Sequence, residues 1–158
     1  MNWKKWKPYV ISAAIALAVG GLSAVLSMEG MMLYEQTALK PPLTPPGWIF
    51  SIVWTILYAL MGISSARIWL TPESKERSKG LNLYVVQLIV NFFWSLLFFN
   101  AQAYGLAALW LILLWILVLL MILEFSKVDK LAAWLQIPYL IWLTFAAYLN
   151  LGVWFMNR

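Results

Sequence analysis

The chain of 158 residues contains no cysteine and no histidine. Without cysteine there are no disulfides, thiolate metal sites or thiol nucleophiles, and no marker of redox compartment. Without histidine the commonest metal ligand and the usual general base are missing. Charge is also scarce: 11% of residues are charged, against about a quarter in a soluble domain. No Gly-rich phosphate loop and no nucleophile–base pair stands in the sequence. No Asp, Glu or Lys falls deep in an apolar run, and Arg67 sits close enough to a run's end to snorkel out. That argues against a pump, an ion channel or a proton-coupled carrier, which need buried ionisable groups.

What fills the chain instead is apolar. Hydrophobic residues make up 64% of it, with eleven tryptophans. One domain of this length cannot hide that much apolar surface from water, so lipid is the solvent for most of it. Five runs approach or exceed the about 20 apolar residues that a spanning helix needs: about 8–28, 48–70, 81–101, 106–125 and 131–155. They are too long and continuous for barrel strands. The expected fold is therefore an all-α membrane protein, a single domain over 1–158 built as a five-transmembrane-helix bundle. The run after Met1–Lys7 exceeds a signal-peptide core of about 7–15 residues and reads as a retained first helix.

The connections differ in kind. The first, Glu29 to Gly47, is long and holds Pro41, Pro42, Pro45 and Pro46, so a stiff, extended loop is expected. The other three are short, which implies antiparallel neighbours. The N-terminus, second loop and fourth loop carry Lys4, Lys5, Lys7, Arg67, Lys75, Arg77, Lys79, Lys127 and Lys130, whereas the opposite side carries only Lys40 and Arg158. This asymmetry predicts a cytoplasmic N-terminus and an external C-terminus in the cell membrane. It also accounts for the net charge of +5 as a topology signal and a contact with anionic lipid, not as a nucleic-acid footprint.

Helical spacing assembles faces. Gln87, Asn91, Trp94 and Phe98 share a stripe of the third span, as do Trp54, Tyr58 and Met61 in the second. Trp142, Phe145, Ala146 and Leu149 share one in the fifth, with Asn150 beside them. Each stripe has a plain reading as core, and the amides one as interhelical hydrogen bonds. Three aromatic stripes on three helices, one carrying amides, also suit an apolar small-molecule cavity with a few polar handles. Ser12, Ala16, Gly20 and Ala24 form a small-residue stripe that lets a neighbouring helix approach, within the bundle or across a homodimer. Trp3, Trp6, Trp69 and Trp154 fall near span ends, where an interfacial role is expected. Trp110 and Trp115 read as lipid- or helix-facing bulk.

Tyr34, Leu39-Lys40-Pro41, Pro45-Pro46-Gly47-Trp48-Ile49-Phe50, Trp54, Leu57-Tyr58 and Met61-Gly62 together resemble the signature of the TspO/translocator protein family, the tryptophan-rich sensory proteins and peripheral benzodiazepine receptors. Gln87, Asn91 and Trp94 resemble its third-helix pattern, and Pro138-Tyr139, Trp142, Phe145-Ala146 and Leu149-Asn150 its fifth. The resemblance implies a five-helix bundle, often dimeric, whose pocket takes porphyrins, haem and apolar drugs with no resident cofactor. It places Trp54, Asn91, Trp142, Ala146 and Leu149 on the pocket wall, with Tyr34 and Pro45 helping the first loop close it. Tyr58, Trp94 and Phe145 join them as expected ligand contacts because they share the stripes. It also leaves open a light-dependent porphyrin-degrading enzyme, with Trp54 and Trp142 as the reacting side chains, and a passive transporter of tetrapyrroles. A vertebrate cholesterol motif near the end of the fifth helix does not carry over, since Arg158 lies too far past Tyr148.

Overall fold

A computed structural model describes residues 2–158. Five helices are long and apolar enough to cross a membrane: Trp3–Leu26, Gly47–Trp69, Lys75–Asn100, Tyr104–Val128 and Lys130–Asn157. In chain order the elements are α1 (Trp3–Leu26), α2 (Met28–Thr37), α3 (Gly47–Trp69), α4 (Lys75–Ser95) followed by a π-helical turn (Leu96–Asn100), α5 (Tyr104–Val128), α6 (Lys130–Leu135) and α7 (Ile137–Asn157). The all-α, five-span architecture expected from the hydrophobic runs is what folds.

The differences from expectation have local causes. The first helix begins at Trp3 and not near Pro8, which lies inside it. Proline removes one N–H and leaves the Lys4 carbonyl without its partner, and this is tolerated because Lys4 is exposed to water. The first connection is not wholly extended, since Met28–Thr37 forms α2. That helix is short, exposes Met28, Met32 and Leu33 along with its polar residues, and buries only Gly30 and Tyr34, so no apolar face marks it in the sequence. The fifth span is broken at Gln136 into α6 and α7, with Pro138 in the first turn of α7.

Caps fix several boundaries. Ser74 Oγ accepts from the Arg77 N–H at 3.1 Å and starts α4. Asp129 Oδ1 accepts from Leu131 N–H at 3.0 Å and starts α6. Pro46, in extended conformation, leads directly into α3.

The closest packing joins α1 to α3, α4 to α5, and α5 to α7. The small-residue stripe explains the first of these. Ala16 is fully buried, and a side chain at Gly62 would overlap Ala13 and approach the Ser12 carbonyl oxygen to 2.7 Å. Here the stripe serves helix packing inside the bundle. Two tryptophans of α5 pin it to its neighbours: Trp110 Nε1 donates to the Val90 carbonyl at 2.7 Å, and Trp115 Nε1 donates to Thr144 Oγ1 at 2.9 Å. Both therefore do more than fill space.

Candidate ligand-binding cavity

The aromatic stripes converge. One cavity of about 550 Å³ lies in the half of the bundle beneath α2, walled by α1, α2, α3, the end of α4 and α7. α5 contributes nothing to the wall and backs the helices that do. The volume falls inside the roughly 300–1,000 Å³ typical of small-molecule sites.

Trp54 and Tyr58 come from α3, Asn91 and Trp94 from α4, Trp142, Ala146 and Leu149 from α7, and Tyr34 from α2; all eight line the cavity. Two of the ten expected contacts do not. Phe145 is turned about 60° from Trp142, on the side away from Ala146, and packs between Trp142 and Tyr148 at 5.5 and 6.2 Å. Pro45 is half-buried in the loop but off the wall. Its neighbours hold the loop over the end of α7: Pro41 packs onto Gly152, where a Cβ would come within 2.6 Å, and Tyr148 Oη donates to the Pro42 carbonyl at 2.8 Å.

Further wall residues lie outside the ten expected contacts. Gly20, Gly21 and Ala24 of α1, Phe50 of α3, Phe98 and Phe99 of the π-helical turn, and Glu35 of α2 all face the space. Their signals were present but ambiguous. Gly20 and Ala24 belong to the small stripe, which packs helices lower down and makes room higher up. Phe99 reaches the wall because the π-helical turn shifts the register of α4, a local device common at functional sites.

The walls are locked by polar contacts. Asn91 Nδ2 donates to Tyr139 Oη at 2.9 Å, and Tyr139 Oη donates to Gln87 Oε1 at 2.7 Å. Gln87 is fully buried beneath the cavity, so it is helix–helix glue, whereas Asn91 is both glue and wall. Trp94 Nε1 donates to Asn150 Oδ1 at 3.0 Å, and Asn150 Nδ2 donates to the Tyr104 carbonyl at 2.8 Å. The indole N–H of Trp142 is buried and has no partner among the described residues.

The aromatic rings form two groups around the space. Phe50 meets Trp142 edge-on at 5.6 Å, and Trp54 lies 5.6 Å from Tyr58 and 6.2 Å from Tyr139. In the second group, Trp94 stacks on Phe98 at 5.1 Å with 25° between the planes, and Tyr34 meets Phe98 and Phe99 edge-on at 5.3 Å each. At the lid, Lys40 Nζ sits 5.0 Å over the Tyr34 ring and 3.7 Å from Glu35 Oε2. Burial, with the Glu35 carboxylate adding to it, pushes the Tyr34 hydroxyl up to about 12, so it stays a neutral O–H at ordinary pH. No cluster of three or more metal-ligating His, Cys, Asp or Glu exists among the described residues.

Comparison with known proteins agrees with this architecture. The family model described as "TspO/MBR family" matches residues 11–155. The chain is 38% identical to "Tryptophan-rich protein TspO" of Chlorobaculum tepidum, over 90% of this chain and 91% of that one. It is 35% identical to "Protein CrtK" of Rhodobacter capsulatus, over 90% and 89%. It is 41% identical to "Translocator protein" of Ovis aries, over 82% and 78%.

Proposed function

This chain belongs to the TspO/MBR family of integral membrane proteins, and we propose that it binds flat conjugated tetrapyrroles, protoporphyrin or haem, in the cavity beneath α2 and serves tetrapyrrole sensing or the stress response. One observation carries the reading: Trp54, Trp94 and Trp142, from three different helices, border one cavity together with Asn91. Extended π faces brought together from three helices suit a planar macrocycle by offset stacking. With no His or Cys in the chain, the reading rests on ring faces and polar donors, and Tyr or Met would be left as the ligand types for a haem iron. The charge asymmetry supports the same reading with the basic ends of the helices cytoplasmic and the cavity in the outer half of the membrane.

Titration of the purified protein with protoporphyrin tests this. Saturable quenching of tryptophan emission is expected, weakened by about tenfold in affinity in a Trp54→Phe, Trp142→Phe variant. Unquenched emission, or identical titrations of the two proteins, removes the proposal.

A second reading is light-dependent oxidation of the bound porphyrin by dissolved dioxygen, which is reduced as the macrocycle is oxidised. It is favoured by the oxidisable Trp54, which touches both Tyr58 and Tyr139. Its sign is a change in the porphyrin spectrum under light that a protein-free control lacks and that Trp54→Phe abolishes.

A further inference from the structure

A second concavity, of about 260 Å³, lies at the opposite, basic end of the bundle, between the last turns of α5 and the break that separates α6 from α7. Its wall is Ile122, Ala133 and Ile137, and its rim is Ser126, Lys130 and Trp134. Ile122 lies six residues before the end of α5, so the groove reaches about 9 Å along the helix axis toward the membrane interior. It borders the break at Gln136, with Ala133 and Trp134 before it and Ile137 after it.

The charges around it are mostly committed. Lys79 and Lys127 both hold Glu124 Oε1, at 3.3 and 3.1 Å. Arg67 holds Asp129 Oδ2 at 2.8 Å, which neutralises the carboxylate nearest the rim. Arg77 donates to the Trp69 carbonyl at 2.9 Å and stacks on that ring. Lys130 is in no ion pair among the described residues, and Trp134 beside it is 68% exposed. An uncommitted ammonium and an indole at an interfacial rim, above an apolar trough leading into the hydrocarbon, match the two halves of one molecule.

We infer that this groove is a specific site for one anionic phospholipid, with the headgroup phosphate on Lys130 and the Trp134 indole N–H and an acyl chain against Ile122, Ala133 and Ile137. Phosphate binding to a point-charge ammonium needs no bidentate geometry, and an interfacial tryptophan sits naturally at headgroup level. The apolar trough separates this site from the diffuse attraction that any basic loop has for anionic lipid.

Native mass spectrometry of the full chain, equilibrated with equal dioleoyl phosphatidylglycerol and phosphatidylcholine, reads the site. One phosphatidylglycerol should be retained over phosphatidylcholine by about fivefold, the preference expected when a single lysine meets a net anionic headgroup and not one whose choline ammonium offsets the phosphate. Lys130→Gln should remove the preference, and Ile137→Trp, which fills the trough and keeps the charge, should remove the retained lipid. Lys75→Gln, on the same side but off the groove, should change neither. Unaltered elution and melting of the variants shows that they fold. Equal retention of the two lipids overturns the proposal, as does equal loss in the Lys75 and Lys130 variants. Displacement of the lipid by glycerol phosphate or inorganic phosphate also overturns it, since the site would then be one for a bare anion. None of these outcomes depends on what the tryptophan-lined cavity binds.

Discussion

Asn150 grips Trp94. The amide oxygen of α7 takes the indole N–H of α4 at 3.0 Å, while its nitrogen donates to the Tyr104 carbonyl at the start of α5 at 2.8 Å. One carboxamide, only 1% exposed, therefore ties three helices together and sets the plane of a cavity-wall tryptophan.

Asn150→Leu keeps the volume but removes the acceptor of the Trp94 N–H and a donor to the Tyr104 carbonyl, both part-buried. Each hydrogen bond within a membrane bundle is worth about 0.5–2 kcal/mol, so a loss of about 2 kcal/mol in unfolding free energy is expected. Thermal melting in detergent measures it. Protoporphyrin affinity should fall as well, because Trp94 loses its fixed orientation.

Two adjacent glycines of α1 should behave oppositely. A Cβ at Gly20 falls on the Tyr58 ring, within 2.8 Å of Cζ, whereas a Cβ at Gly21 meets nothing within 4 Å. Gly20→Val should push Tyr58 into the cavity and weaken ligand binding by about tenfold or more, in line with the cost of overpacking. Gly21→Ala should leave affinity within about threefold and stabilise α1 slightly through helix propensity. Equal effects of the two changes on a binding isotherm would refute this account of the wall.

The lid should loosen when its clamp is cut. Asn157 reads both backbone groups of Leu39, with Oδ1 accepting its N–H at 2.9 Å and Nδ2 donating to its carbonyl at 2.8 Å. Asn157→Ala should raise amide hydrogen exchange across residues 38–43 and speed ligand release, with the spanning helices unchanged in protection. Leu43 in this loop has φ of 70°, so Leu43→Gly should relieve local strain of about 1 kcal/mol at a site that is 80% exposed.

Alkaline titration should reach the lid through Tyr34. Its hydroxyl is raised from 10.0 to about 12 by burial first and by Glu35 second. A folded value above the unfolded one means that the neutral phenol stabilises the fold fully below pH 10, and that this contribution is lost as pH rises toward 12. Melting temperature should therefore show no Tyr34-dependent change from pH 6 to 9, and part of the fall above pH 10 should disappear in Tyr34→Phe. Persistence of the whole alkaline fall in that variant would show that another group is responsible.

Much of the cavity could be read from spacing alone. Trp54 with Tyr58, Asn91 with Trp94, and Trp142 with Ala146 and Leu149 lie on common faces because a helix repeats about every 3.6 residues, and each of these faces does border the space. Spacing could not show that Phe145 is turned off the wall, because a three-residue step is also compatible with one face. Nor could it show the π-helical turn that brings Phe99 to the wall, since the sequence has no proline or glycine there to mark it. The helix α2 was hidden because it buries too little to leave a pattern.

By itself the sequence determined where the chain lies and how often it crosses. Transfer into lipid is a local, additive property of some 20 consecutive side chains, and the bias of lysine and arginine toward one side is equally local. The tertiary structure alone decided which faces meet. Gly62 against Ala13, Gly20 against Tyr58, Asn150 against Trp94 and Tyr139 between Asn91 and Gln87 are contacts between residues far apart in the chain. Periodicity fixes the direction of a side chain on its own helix and says nothing about the helix it will face.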